Sequence, residues 1–150
     1  MIVLSYDGSE SAIHAIETAH ELLGDVAATV VHVWDPPANF LPADPFGGLQ
    51  TWSPKQVAEL ESLILERANS VLAEGVELAR KAGFAVEGRL ERTAGAPWRA
   101  ILDAADELDA TLIVVGARGL TAVESLVLGA VSNAVVHHAK RPVLVVRKLS

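Results

Sequence analysis

With 150 residues, 51% hydrophobic and 21% charged, the chain has the size and composition of one globular domain and not of a disordered segment. Its net charge of −7, with no offsetting lysine or arginine cluster, argues against nucleic acid and anionic membranes as partners. The absence of cysteine excludes disulfides, thiolate nucleophiles and cysteine-ligated metals.

The first run, "MIVLSY", is apolar and β-prone and ends at the turn signal "DGS". It lacks the basic start and cleavage pattern of a signal peptide, and no apolar run nears the roughly 20 residues of a membrane helix. A cytoplasmic location is the expectation. From Ser9 to Leu23, Ile13, Ile16, Ala19 and Leu23 recur at helical spacing, and Gly24 stops the run. Val26 to Trp34 is a β-branched run suited to a buried parallel strand. A long proline-rich loop follows from Asp35 to Pro54, and its bearing on access to any site is open.

Ser53, Pro54 and Gln56 form a capping box with proline in the first turn, opening a helix that runs to about Ala82 and stops at Gly83. "FAVEGRLE" reads as a strand with Phe84, Val86 and Leu90 as its apolar set. Pro97 opens another helix with Trp98, Ile101, Leu102 and Ala105 inward and Trp98 in the core. "ATLIVVG" is a buried strand, the region from Thr121 to His138 is mostly helical, and "PVLVVRK" forms the last strand. Strict alternation of strands and helices predicts a five-stranded parallel sheet with helices on both faces, an α/β fold occupying residues 1–150 as one domain.

Gly116, Gly119 and Gly129 stand out between the last two strands. Core packing does not call for them, whereas a ligand does: glycine admits close approach and positive φ. Successive backbone N–H groups in such turns form an anion cradle, which the start of the next helix reinforces. Thr121 and Glu124 form a second capping box, predicting a short helix from Ala122 to Leu128, and Ser132 offers a hydroxyl near the start of the helix after it. The competing reading is that Gly116 and Gly119 only turn a strand into a loop.

Other polar candidates carry less. His137 and His138 are adjacent, so on a helix they point about 100° apart and suit the negative helix end better than a shared metal. His32, inside a strand, reads as a core or pocket-edge histidine. Trp34 and Trp52 flank the long loop and are expected to pack it down. No nucleophile elbow, zinc-protease helix or P-loop lysine occurs, so an enzyme is not expected, beyond slow ATP hydrolysis at most.

The segments "SYDGSESAIHAI" and "GARGLTAVESLVLGAVSNAVVHHAKRPVLVV", with the alternation between them, resemble the universal stress protein family over essentially the whole chain. The resemblance implies the adenine nucleotide alpha hydrolase-like fold with strand order 3-2-1-4-5. Its nucleotide-binding members carry G-x2-G-x9-G followed by Ser or Thr, and Gly116, Gly119 and Gly129 match that spacing. Ala130 departs from it and removes one phosphate-facing hydroxyl, while Ser132 matches a Ser/Thr two residues on. The resemblance further implies that Asp7 lies beside the nucleoside, that the Val33 backbone meets adenine and that Arg118 approaches phosphate. The implied ligand is ATP or another adenine nucleotide such as AMP or cyclic AMP, with Mg only alongside ATP.

The last strand, residues 142–147, is expected at a sheet edge, where an exposed Val-Leu-Val-Val run invites pairing; a homodimer through it follows, and the resemblance points the same way. Two functions stay open. One is a stress-response protein acting by nucleotide occupancy; the other is a nucleotide-free dimeric interaction module, which Ala130 favours.

Overall fold

A computed structural model describes residues 1–41, 52–119 and 128–148. Five parallel strands, β1 (Ile2–Ser5), β2 (Ala27–Trp34), β3 (Ala85–Arg92), β4 (Leu112–Gly116) and β5 (Val143–Val146), form one sheet in the order β3-β2-β1-β4-β5. Among the described residues four helices link them, α1 (Glu10–Leu23), α2 (Pro54–Ala82), α3 (Pro97–Glu107) and α4 (Ala130–His138), with a 3₁₀ turn at Pro37–Asn39. The predicted α/β alternation and strand order are both present. The second capping box at Thr121 and Glu124, and nearly all of the short helix predicted with it, lie outside the described residues, as does most of the proline-rich loop.

Strand residues alternate between two apolar layers. Ile2, Leu4, Val30 and Val114 pack beneath α1 and α2, whereas Val3, Val31, Ile113 and Val115 pack beneath α3 and α4. Runs with no polar alternation are what a sheet covered on both faces requires. Trp98 corrects its expected core position: it is half-buried at the rim of the second layer, stacked on His138 with ring centroids 4.3 Å apart. Trp52 is 48% exposed and Trp34 half-buried with Arg92 over its ring, and most of the loop they were expected to pack lies outside the described residues.

Local signals fix the helix ends. Ser53 Oγ accepts from the Gln56 N–H and Gln56 Oε1 from the Ser53 N–H, completing the predicted box. At 29 residues α2 is roughly 43 Å long, more than an eight-residue strand can cover. Its buried positions are accordingly confined to Ala68, Val71, Gly75 and Ala79. Gly75 lets the helix lie on the Tyr6 ring, since a Cβ there would stand 2.5 Å from Tyr6 Cδ1.

Candidate functional site

At the carboxyl end of β1 the polypeptide leaves the sheet through "YDGS". Gly8 takes a φ of +84°, open to glycine without strain. Asp7 Oδ1 accepts from the Ser9 N–H at 2.9 Å, and Ser9 Oγ caps α1 by accepting from the Ala12 N–H at 3.1 Å. The other carboxylate oxygen, Oδ2, lies 2.9 Å from where a Cβ on Gly119 would stand. One oxygen of Asp7 shapes the turn; the second lies beside the glycines that follow β4. Tyr6, buried under α2, donates its hydroxyl to Glu74. Burial first, then the hydrogen bond to Glu74 and the negative charges of Glu74 and Asp7, push the Tyr6 phenol well above its ordinary value.

Strand β2 outruns β1. Their last paired residues are Ser5 and Val31, and the Tyr6 N–H still donates to Val31 O at 3.0 Å. In a parallel ladder alternate residues turn both backbone polar groups toward the same neighbour, so those of Val33 face the side that β1 has left. The regular acceptor for the Val33 N–H is Tyr6 O, but that carbonyl accepts the His32 Nδ1–H at 2.8 Å. Among the described residues neither backbone polar group of Val33 has a partner on this side.

Gly116, which ends β4, and Gly119 and Gly129 beyond it do different jobs, and none has a positive φ. Gly116 answers to packing, against the expectation: a Cβ there would lie 2.6 Å from Ser11 Oγ and 2.8 Å from the Ser11 carbonyl carbon and oxygen. Gly119 leaves room for the Asp7 carboxylate. Gly129 caps α4 in an extended conformation, φ −72° and ψ 167°, that any residue adopts. A Cβ on Gly129 would stand 3.4 Å from Arg118 Cα and 3.6 Å from Gly119 N, so the two turns lie against each other.

Helix α4 opens onto this cradle. Its first intrahelical bond is Asn133 N–H to Gly129 O at 2.9 Å, which leaves the N–H groups of Ala130, Val131 and Ser132 free of helical partners at the positive end of the dipole. Ser132 differs from its expected role. Its buried hydroxyl lies 2.8 Å from Ala117 O and 3.1 Å from Gly129 O, and a hydroxyl has one hydrogen to give. It staples α4 to the end of β4 and has no donor left for a ligand.

These segments enclose a cavity of about 370 Å³, lined by all eight residues expected from the sequence. Tyr6, His32, Pro97 and Ile101 join them and were not among those eight. The start of α3 was legible in principle, because every strand-to-helix turn of a doubly wound sheet emerges on the same side. The ionisable groups of the lining are Tyr6, Asp7, His32 and Arg118. Asp7 and His32 bond to backbone groups and not to each other, so they do not form an acid–base pair. Among the described residues no group of three metal-ligating residues occurs, and no helix is long and apolar enough to cross a membrane.

Residues 1–147 match the model of the universal stress protein family. A universal stress protein of Thermus aquaticus is 38% identical over 97% of this chain and 97% of its own length. Two solved structures are similar throughout. One is a universal stress protein in complex with cAMP, 26% identical, with a TM-score of 0.64 over 97% of this chain and 94% of that one. The other is the universal stress protein of Archaeoglobus fulgidus in complex with dAMP, 28% identical, with a TM-score of 0.60 over 96% and 94%.

Proposed function

This chain belongs to the universal stress protein family, and from that premise we propose that it binds an adenine nucleotide and acts in stress response by occupancy rather than by catalysis. The observation that carries the reading is the convergence of the β1, β2 and β4 ends and the α4 N-terminus on one cavity of about 370 Å³. The Val33 N–H and C=O offer a donor and an acceptor to the edge of adenine. Asp7 Oδ2 accepts from ribose or base. The free N–H groups of α4, the Gly119 turn and Arg118 receive phosphate. The two universal stress proteins solved with cAMP and dAMP support the same ligand class. Occupancy fits a site whose carboxylate and imidazole are each committed to backbone groups. Calorimetric titration with AMP, cyclic AMP, ADP and ATP tests it: saturable one-to-one binding is expected, and no heat at millimolar ligand removes the reading.

A nucleotide-free interaction module is favoured by one observation, the loss of both hydroxyl donors at the start of α4: Ala130 has none and that of Ser132 is engaged. Mass spectrometry of small molecules released from protein purified without added nucleotide separates the two.

The same proposal includes a homodimer through β5. Both outer strands expose an edge, but β3 carries Glu87, Arg89, Glu91 and Arg92, whereas β5 is Val-Leu-Val-Val. Charges discourage edge pairing, so the uncharged edge is where a second copy adds its strand. Light scattering at tens of micromolar is expected to give twice the monomer mass, reduced to one by Val145→Lys; a monomeric wild type contradicts the dimer.

A further inference from the structure

We propose that His32 is a positioning residue for the ligand: by holding Tyr6 O, its imidazole keeps the Val33 N–H unpaired and open to the pocket. The proposal rests on the adenine-nucleotide reading and adds a part to it. A continued ladder from Ser5 and Val31 pairs the Val33 N–H with Tyr6 O. That bond is absent, and the carbonyl instead meets His32 Nδ1 at 2.8 Å. A carbonyl only accepts, so Nδ1 carries the proton. A backbone N–H left without a partner in a half-buried position is costly, and ladders do not give one up without a substitute. Here the substitute satisfies the carbonyl alone and leaves the donor for an incoming acceptor. On adenine that acceptor is a ring nitrogen, N1, whose loss in a 1-deaza analogue removes the partner without changing shape.

The role is separable from a merely structural one. His32→Leu frees Tyr6 O to pair with the Val33 N–H. His32→Asn places an amide N–H close to the position of Nδ1 and preserves the arrangement. In the ligand-free wild type, amide exchange at Val33 is expected to be fast while Val31 is protected; AMP then protects Val33. In ligand-free His32→Leu, Val33 becomes protected. Wild type is expected to prefer AMP over 1-deaza-AMP by about tenfold, the worth of one hydrogen bond. That preference disappears in His32→Leu and persists in His32→Asn. A Val33 amide protected in the ligand-free wild type overturns the proposal, as does a wild-type preference retained by His32→Leu. If His32→Leu does not fold, wild-type exchange and His32→Asn decide alone. Failure of wild type to bind AMP at all strikes the nucleotide reading instead, which the exchange pattern does not depend on.

Discussion

Replacing Gly116 by alanine adds one methyl group where β4 meets the first turn of α1. The added Cβ stands 2.6 Å from Ser11 Oγ and 2.8 Å from the Ser11 carbonyl carbon and oxygen. A hydroxyl swings aside readily; the backbone of a capped helix does not. Overpacking of this kind costs about 1–3 kcal/mol. The same methyl displaces Ser11 Oγ, which accepts from the Arg118 N–H at 3.3 Å, removing roughly 0.5–1 kcal/mol more. Against this, alanine narrows the unfolded ensemble by about 0.4–1 kcal/mol. The net expectation is a loss of about 2 kcal/mol, equivalent to a fall in Tm of roughly 4–8 °C for a protein of this length. Gly129→Ala is the control: its backbone is extended and its Cβ makes only ordinary contacts with the described residues, so stability is expected to change by less than about 0.5 kcal/mol. Urea denaturation followed by circular dichroism measures both. Gly116→Ala as stable as wild type, or Gly129→Ala equally damaged, refutes the assignment of packing to one glycine and not the other.

Three further outcomes follow from the same contacts. Gly75→Ala replaces a poor helix former with the best, worth about 1 kcal/mol in isolation, yet its Cβ meets the Tyr6 ring at 2.5 Å and Val30 Cγ1 at 3.0 Å. Thermal melts are expected to show net destabilisation, and a raised Tm contradicts the packing. The Tyr6 phenol is raised in the folded state, so the folded protein holds its proton longer than the unfolded one, and the stability this confers is present at neutral pH and is lost as pH rises past about 10. Tyr6→Phe is expected to flatten that alkaline decline in urea midpoints measured from pH 8 to 11; an unchanged slope opposes it. Ala130→Ser returns a hydroxyl to the start of α4, and titration is expected to show ATP strengthened roughly tenfold relative to AMP, the worth of a hydrogen bond to a charged group. An unchanged ratio places the phosphates elsewhere.

What the sequence disclosed was local or periodic. The capping box at Ser53 and Gln56 needs only neighbours three residues apart, and the β-branched runs of β2 and β4 declare a sheet covered on both sides. The pocket lining was legible because glycine spacing and the two turns "YDGS" and "GARG" fall at strand ends that topology gathers together. The individual duties within it were not. Gly116 is small because of Ser11, more than a hundred positions earlier, and Gly75 because of Tyr6; neither partner is marked by any pattern. Ser132 reads as a free hydroxyl until the fold brings Ala117 O to it. The open Val33 N–H depends on where β1 stops relative to β2, a matter of register that composition does not encode.

One cavity receiving one nucleotide is the central claim, and amide chemical shifts recorded during titration with AMP test it most directly. Saturable shifts are expected at Val33, Gly119, Ala130 and Val131, with the amides of Ala85 and Val86, which pair with the opposite end of β2, unmoved. Absence of saturable change at several millimolar AMP, or changes centred away from the ends of β1, β2 and β4, contradicts it.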